Sequence, residues 1–246
     1  MIGEDDMGII KGVVLAGGLG TRLYPLTSIT NKHLLPVGKK PIIYYAIEQL
    51  VNANITEILI VTGVDHMGDM VNTLGSGKEF GCEFTYKVQD EAGGIAQAVG
   101  LGEKFSEGNK VIAILGDNLF EEDLSIYINE YRKQETGAKV LLKEVANPRR
   151  FGVAEIIENK IKGIKEKPKN PKSKYVVTGV YMYDRRAFEI IKGLKPSARG
   201  ELEITDANNK YIEQGNMTYH ILKGWWIDAG TFESLKKANE LIERRK

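Results

Sequence analysis

The chain has 246 residues, of which 42% are hydrophobic and 27% are charged, and its formal net charge is +1. This near balance gives no reason to expect binding to nucleic acid or to a membrane surface. The single cysteine, Cys82, excludes an intramolecular disulfide and favours a reducing, cytoplasmic location. No apolar run approaches the length of a membrane span. Residues 1–8 are acidic and are interpreted as a flexible leader, and residues 9–246 as a single domain.

The first half of the chain alternates between strand and helix patterns. Strands are predicted at residues 9–15, 57–62, 84–88 and 111–115, and helices at residues 42–53, 66–74 and 95–105. Such alternation is typical of βαβ units that build a parallel sheet. Ligands of these sheets lie beyond the carboxyl ends of the strands, so three loops are expected to meet at one crevice. They are residues 17–22, 89–94 and 116–118.

The pattern changes after about residue 137. Strands follow one another with few helices between them, at residues 138–145, 153–157, 160–165 and 175–183. This run predicts a smaller mixed or antiparallel lobe that lies over the first sheet. Helices are expected again at residues 186–192, 204–214 and 232–244, the last of them capped by Thr231, and a strand at residues 218–222. The fold class is therefore α/β, with a Rossmann-like, mostly parallel sheet flanked by helices.

A glycine-rich loop follows the first predicted strand. Residues 15–22 read LAGGLGTR, and the absence of side chains at the glycines lets backbone N–H groups approach an anion. The dinucleotide-binding fingerprint is incomplete because Leu23 stands where its third glycine belongs, and no Walker A string is present. Taken alone, the loop permits a plain turn, a dinucleotide site or a phosphate clamp.

Charged residues near the predicted crevice favour the phosphate clamp. Arg22 follows the glycines and Lys32 lies ten residues later, so two cations flank the loop. Asp117 follows the apolar strand at 111–115, and Asp228 ends another apolar stretch. Each aspartate alone fits a turn or a helix cap. If both face one crevice, they favour Mg²⁺, which commonly takes one or two carboxylates and substrate phosphates.

Several blocks of the chain together resemble the sugar-phosphate nucleotidyltransferases. The blocks are LAGGLGTRLYPLT (15–27), KHLLPV (32–37), GIAQA (94–98), GDN (116–118), FGV (151–153), EKP (166–168), VTG (177–179), GELEITD (200–206) and WID (226–228). They extend over nearly the whole chain. Blocks 94–98 and 200–206 are similar to those of glucose-1-phosphate thymidylyltransferases in particular. The chain looks like a short form, because it ends soon after the helix that follows Asp228.

The resemblance implies transfer of a thymidylyl group from dTTP to α-D-glucose 1-phosphate by Mg²⁺-assisted in-line displacement, giving dTDP-glucose and pyrophosphate. It also implies a homo-oligomer without nucleic-acid or membrane partners. The residue types agree with this chemistry. A sugar phosphate is already an anionic nucleophile, so positioning and charge neutralisation can supply most of the acceleration without a general base.

The resemblance further implies roles for particular residues. The catalytic residues would be Arg22, Lys32 and Asp117, and the metal ligands would be Asp117 and Asp228. The nucleotide would be bound by Leu15, Gly17, Gly18, Gly20, Thr21, Arg22, Gln89 and Gly94, of which Gln89 and Gly94 would read thymine. The sugar phosphate would be bound by Asn118, Gly152, Glu166, Lys167, Val177, Tyr181 and Trp226. Residues 9–137 would form the nucleotide-binding half and residues 138–246 the sugar-binding half.

Other functions remain open at this point. One alternative is a relative that uses UTP to make UDP-glucose, or that uses another sugar 1-phosphate, because Asp90 replaces the proline that usually follows the thymine-reading glutamine. A non-catalytic sugar-nucleotide sensor is a second alternative, although it would not need Arg22, Lys32, Asp117 and Asp228 together. A nicotinamide-dependent dehydrogenase is the third, and the missing glycine counts against it.

Overall fold

The computed structural model describes residues 9–244, so the predicted leader at residues 1–8 lies outside the described residues. The strands are β1 (Ile10–Ala16), β2 (Pro36–Val37), β3 (Lys40–Pro41), β4 (Glu57–Gly63), β5 (Glu83–Gln89), β6 (Lys110–Leu115), β7 (Asn118–Phe120), β8 (Ala138–Glu144), β9 (Gly152–Ile157), β10 (Lys160–Glu166), β11 (Tyr175–Tyr183), β12 (Met217–Ile221) and β13 (Trp226–Asp228). The helices are α1 (Ile42–Asn52), α2 (Met67–Leu74), α3 (Ile95–Gly100), α4 (Glu103–Ser106), α5 (Ser125–Lys133), α6 (Arg186–Lys192), α7 (Ile204–Glu213) and α8 (Phe232–Glu243).

The parallel sheet predicted from the first half of the chain is confirmed. Strands β5, β4, β1 and β6 lie side by side and run in the same direction. Their apolar residues alternate between the two faces of the sheet, so that Val14 faces one layer of helices and Val13 the other. Helices α1, α2 and α5 cover the first face, and α3, α6 and α7 cover the second. Both faces are therefore buried, as is usual for parallel strands.

The second half contributes the antiparallel strands that its sequence predicts. Strand β11 runs antiparallel to β6, β8 and β9, and β12 pairs with β8 in parallel. The expectation that these strands lie over the first sheet is wrong. Val180 pairs directly with Ile114 of β6, so the second half continues the sheet edge to edge. The resulting order along the main path is β10-β9-β11-β6-β1-β4-β5.

One predicted helix is divided and another was missed. The helix expected at residues 95–105 is split into α3 and α4, with Leu101 and Gly102 between them. A Cβ at Gly102 would stand 3.1 Å from the carbonyl oxygen of Val99 and 3.5 Å from Val13. Helix α5 was not predicted, and a short pair formed by β7 and β13 lies outside the main sheet.

The predicted cap of the last helix is confirmed. The Thr231 hydroxyl accepts a hydrogen bond from the backbone N–H of Ser234, and the Ser234 side chain bonds the backbone of Thr231 in return. Helix α8 then packs Ala238 into a small apolar cluster that also contains Ile227 of β13. Among residues 9–244, no helix combines the length and the apolar character needed to cross a bilayer.

Candidate active site

A cavity of about 580 Å³ opens beyond the carboxyl ends of β1, β5 and β6. Residues from all three predicted loops line it, including Gly17, Gln89 and Asp117, so the expected convergence of these loops is confirmed. Residues from β11, α7 and β13 complete the wall. Its volume is in the range of small-molecule sites, and its position is the one at which α/β sheets hold their ligands.

A buried ion pair lies at the centre of this cavity. Lys32 Nζ donates to Asp117 Oδ2, and the two side chains are only 15% and 7% exposed. Burial opposes ionisation of Asp117, but the positive charge of Lys32 outweighs it and holds the pKa of this carboxyl well below its usual range. Asp117 is therefore ionised, and it lies beside the ammonium group of Lys32.

A short turn fixes the position of Lys32. Asn31 Nδ2 donates to the carbonyl oxygen of Ala16 at 3.1 Å, and Asn31 Oδ1 accepts from the backbone N–H of His33 at 2.9 Å. The turn is thereby tied to the end of β1, next to the glycine loop. Burial, together with the charge of Lys32, lowers the pKa of His33 to about 3, so its imidazole is neutral at physiological pH.

The second predicted metal ligand lies beside the first. Strand β13 pairs with β7, and this pairing sets Asp228 opposite Asn118, the residue after Asp117. Burial and the negative charge of Asp117 raise the pKa of Asp228. Two neighbouring carboxylates that repel each other fit a single hard divalent cation, which can take its other ligands from phosphates and water. The described residues contain no cluster of three or more His, Cys, Asp or Glu side chains that could hold a metal ion.

The side chains of Arg22 and Asp228 both lie against Gly230. A Cβ at Gly230 would stand 2.8 Å from Arg22 Nη2 and 2.8 Å from Asp228 Oδ1. Gly230 also donates its backbone N–H to Asp228 Oδ1 at 3.0 Å. A glycine at this position thus leaves room for the guanidinium between the glycine loop and β13.

Asn118 joins three parts of the site. Its Nδ2 donates to Asp117 Oδ1 at 2.9 Å, and its Oδ1 accepts from Trp226 Nε1 at 2.7 Å and from the backbone N–H of Gly179 at 3.1 Å. The side chain is only 1% exposed. Asn118 therefore orients Asp117 and Trp226 while it borders the cavity.

The end of the cavity near β5 contains Gln89. Its Nε2 donates to the carbonyl oxygen of Gly94 at 3.2 Å and to Gln97 Oε1 at 2.8 Å, which fixes the orientation of the amide. Its Oε1 points at the glycine loop, since a Cβ at Gly17 would stand 2.5 Å from it. Gly94 has φ of +95°, and a Cβ there would stand 2.5 Å from the carbonyl oxygen of Leu202. Glycine is therefore needed at position 17 so that Gln89 can lie this close, and at position 94 so that the carbonyl group of Leu202 can.

The opposite end is rich in polar side chains. Glu166 Oε2 accepts from the Thr205 hydroxyl at 2.5 Å, and Lys167 Nζ lies 3.7 Å from Glu166 Oε1. Arg199 Nη2 donates to Glu203 Oε2 at 2.7 Å. A carboxylate and several hydrogen-bond donors facing one space are suited to a polyhydroxylated, anionic ligand.

Most of the predicted site residues border the cavity. They are Leu15, Gly17, Gly18, Arg22, Lys32, Gln89, Gly94, Asp117, Asn118, Gly152, Glu166, Lys167, Val177, Tyr181, Trp226 and Asp228. Two predicted residues do not line it. Gly20 has φ of +65° and lies against Thr27 and Lys32, and Thr21 begins the turn that carries Arg22. Both shape the loop from outside the cavity.

The structure adds lining residues that were not among the predicted site residues. They are His33, Arg150, Phe151, Arg199, Glu203, Thr205 and Asn208, among others. Phe151, Glu203 and Thr205 fall within blocks that were recognised only as whole segments. Nothing in the local sequence marks Asn208, because its role depends on which face of α7 meets the cavity.

Comparisons with known proteins agree with this geometry. A family model described as "Nucleotidyl transferase" matches residues 11–245. A relative from Neisseria meningitidis named glucose-1-phosphate thymidylyltransferase is 45% identical over 238 residues, which is 95% of this chain and 83% of the relative. The nucleotidyltransferase Agl11 of low-salt glycan biosynthesis from Haloferax volcanii is 38% identical over 95% of this chain and 66% of its own.

Solved structures share the fold over nearly the full length. A Bacillus anthracis protein assigned as a glucose-1-phosphate thymidylyltransferase, crystallised with sucrose, has a TM-score of 0.91 and 59% identity, covering 94% of both chains. A UDP-glucose pyrophosphorylase complexed with UDP-glucose has a TM-score of 0.86 and 28% identity, covering 97% of this chain and all of that one. The chain belongs to the nucleotidyl transferase family and is an enzyme of that family.

Proposed function

We propose that this enzyme transfers the thymidylyl group of dTTP to α-D-glucose 1-phosphate, releasing pyrophosphate and forming dTDP-glucose. The observation that carries the proposal is the group formed by Arg22, Lys32, Asp117 and Asp228, which combines two cations and two carboxylates at one end of a sheet. The names of the relatives that are 40–45% identical support the same nucleotide and sugar.

The reaction brings one anion onto another. A phosphate oxygen of glucose 1-phosphate attacks the α-phosphorus of dTTP, and the bond from that phosphorus to the β-phosphate oxygen breaks. Arg22 offers a fixed fork of donors, and Lys32 offers a mobile point charge. Both can offset the negative charge that builds up on pyrophosphate as it leaves. Lys32 can turn from Asp117 towards a phosphate oxygen because its side chain is flexible.

Mg²⁺ belongs to the proposal as the ion that Asp117 and Asp228 would hold. An ion held by these two carboxylates would supply positive charge that offsets the negative charge of the phosphates. The protein's own contribution is to keep Asp117 ionised through Lys32 and to orient its Oδ1 through Asn118. On this proposal, Asp117 is ionised and oriented by neighbouring side chains before the substrates bind.

Gln89 is proposed to read the base. Its amide is oriented by Gly94 and Gln97 so that Oε1 faces the loop at Gly17, where it can accept the N3–H of thymine. Cytosine has an acceptor at this position and would be rejected. Uracil has the same N3–H as thymine, so Gln89 alone does not separate dTTP from UTP.

The remaining expectations are part of the same proposal. Glu166, Lys167, Gly152, Val177, Tyr181, Asn118 and Trp226 would form the glucose 1-phosphate end of the cavity. Residues 9–137 and 138–246 would be the nucleotide-binding and sugar-binding halves of one domain. A homo-oligomer remains a prediction that light scattering after gel filtration would check, and a cytoplasmic location remains one that the single cysteine favours.

A panel of triphosphates tests the proposal. Purified enzyme is supplied with Mg²⁺, glucose 1-phosphate and either dTTP, UTP, CTP or ATP, and pyrophosphate release is measured. We expect dTTP to give the highest kcat/KM. A preference for UTP would favour the second candidate, a uridylyltransferase, to which the similarity with UDP-glucose pyrophosphorylase points. Absence of turnover with all four would contradict the proposal.

A further inference from the structure

Asn208 carries a buried amide group that the fold does not use. The side chain is only 1% exposed, and its Nδ2 has no hydrogen-bond partner in the described part of the chain. Most buried polar groups in native proteins are hydrogen-bonded, because a donor removed from water without a partner is costly. We therefore expect the two unused N–H bonds of this buried amide to find their acceptor on a bound ligand.

The orientation of this amide is fixed by a neighbour. The Tyr183 hydroxyl donates to Asn208 Oδ1 at 2.6 Å, and Tyr183 is itself fully buried in β11. A phenolic hydroxyl needs an acceptor for its proton, and Oδ1 provides it. With Oδ1 occupied in this way, the Nδ2 group is the end of the amide that remains available as a donor.

Asn208 lies at the sugar end of the cavity. It lines the cavity from α7, three residues beyond Thr205, so both side chains are on one face of that helix. The Thr205 hydroxyl donates to Glu166 Oε2, and Gly152 leaves space beside this pair because a Cβ there would stand 3.1 Å from Thr205 Oγ1. Asn208 thus lines the same end of the cavity as the polar residues assigned to glucose 1-phosphate.

We propose that Asn208 is a specificity-determining residue whose Nδ2 donates, from the floor of the cavity, a hydrogen bond to a hydroxyl oxygen of the hexose. This inference rests on the proposed function and adds a residue to it. A site built to hydrogen-bond a substrate hydroxyl discriminates against an analogue that lacks it, because the donor is then left unpaired. Asn208 therefore makes the enzyme select sugars that carry one particular hydroxyl group.

The test compares glucose 1-phosphate with its 2-, 3-, 4- and 6-deoxy analogues. For the wild type, kcat/KM should fall by about tenfold or more for each analogue that loses a hydrogen-bonded hydroxyl. In Asn208→Leu, which has a similar shape but no donor, the penalty for one of these analogues should shrink to about twofold. The penalties for the other analogues and the KM for dTTP should remain as in the wild type.

Two further variants keep the test decisive. Asn208→Leu leaves the Tyr183 hydroxyl without an acceptor, so the double variant Tyr183→Phe/Asn208→Leu, which removes both partners, protects the fold. It should show the same loss of discrimination. Asn209→Ala is the matched control, because Asn209 bonds the backbone of Ile164 in β10 and is not one of the residues that line the cavity. Its analogue ratios should equal those of the wild type.

The outcomes separate this inference from the proposed function. Wild-type turnover of dTTP with glucose 1-phosphate is the internal check, and its absence would overturn both. If the wild type is active but the Asn208→Leu variants lower kcat/KM for glucose 1-phosphate and all analogues by the same factor, or leave every ratio unchanged, Asn208 is a structural residue and the inference is wrong.

Discussion

The side chain of Asp117 has two roles. It is the counter-ion of Lys32 and, on the proposed mechanism, a ligand of the metal ion. A carboxamide at this position keeps the shape and the hydrogen bond with Asn118 but removes the charge. The Asp117→Asn variant can therefore distinguish a loss of catalytic activity from a loss of folding.

Asp117→Asn is expected to lower kcat by about 10²-fold or more, because the charge that would organise the phosphates is lost. Steady-state kinetics over a range of Mg²⁺ concentrations measures the loss, and circular dichroism reports whether the fold is kept. Asp123→Asn is the matched control, since Asp123 accepts a backbone N–H at the start of α5. Near wild-type activity of Asp117→Asn at saturating Mg²⁺ would contradict the metal assignment.

Gly152 is predicted to be intolerant of a side chain. A Cβ at this position would stand 3.1 Å from Thr205 Oγ1 and 3.4 Å from Glu166 Oε2. Gly152→Ala should therefore raise the KM for glucose 1-phosphate by about tenfold, corresponding to roughly 1.4 kcal/mol, while the KM for dTTP changes little.

Gly163→Ala provides the control for this measurement. Gly163 belongs to the neighbouring strand β10, and a Cβ there meets nothing within 4 Å. Its kinetic constants should equal those of the wild type. An equal rise in KM for both substrates in Gly152→Ala would instead indicate a general distortion of the site.

The sequence identified those site residues that stand next to strand ends or within recognisable blocks. Arg22, Asp117 and Asp228 were found in this way, because a strand that breaks into polar residues marks the ligand-binding edge of the sheet. Asn208 and Arg199 could not be found by that reasoning. Their positions depend on how α7 and the loop before it pack against β11, which no local pattern encodes.

The capping box of α8 lies next to the candidate active site. Thr231 begins the helix three residues after Asp228, and the helix packs Ala238 and Leu241 near β13. Loss of the cap would loosen the start of the helix and the strand that presents Asp228.

Thr231→Ala is expected to lower the free energy of unfolding by about 1 kcal/mol, because the N–H of Ser234 loses its acceptor. Denaturation in urea measures the change. Thr73→Ala, within α2, is the control, since alanine is a better helix former than threonine and no loss is expected there. Equal stability of Thr231→Ala and wild type would show that water replaces the cap without cost.

The elements that the sequence predicts well are those with strong periodicity. The buried strands β1, β4 and β6 and the amphipathic helix α1 were located to within two residues. Helix α5 was missed because its apolar pattern is weak: Ile126 is exposed, and only Ile128 and Tyr131 of the helix are buried. The sequence pattern did not indicate the break between α3 and α4 at Leu101 and Gly102.

Asp184 links the sheet to its helices. It accepts from the backbone N–H of Gly137 at 2.6 Å, from the Tyr211 hydroxyl at 2.7 Å and from Arg186 Nε at 2.9 Å. Burial opposes its ionisation, but these donors outweigh burial and lower its pKa. The ionised form is therefore the one that the fold stabilises.

The lowered pKa of Asp184 in the folded state determines how its contribution to the free energy of unfolding changes with pH. Asp184 stabilises the fold at pH values above its unfolded-state pKa of about 3.9, and this contribution is lost as the pH falls through the lower folded-state pKa. Asp184→Asn should lower the free energy of unfolding at pH 7 by about 1–3 kcal/mol and should reduce its dependence on pH below about 5. Urea denaturation at several pH values measures both effects.

Asp65→Asn is the control for this experiment, because Asp65 is exposed. It should show the wild-type pH dependence. If Asp184→Asn kept the full wild-type slope between pH 5 and pH 3, another group would be responsible for the acid sensitivity.

The pairing of β11 with β6 also determines how this enzyme can move. Because the strands of the second half hydrogen-bond directly to those of the first, the two sides of the cavity share one rigid frame. A hinge closure between them would have to break that ladder. Substrates must then be enclosed by the loops at the rim, so ligand-dependent protection from hydrogen exchange should be confined to those loops and leave β6 and β11 unchanged.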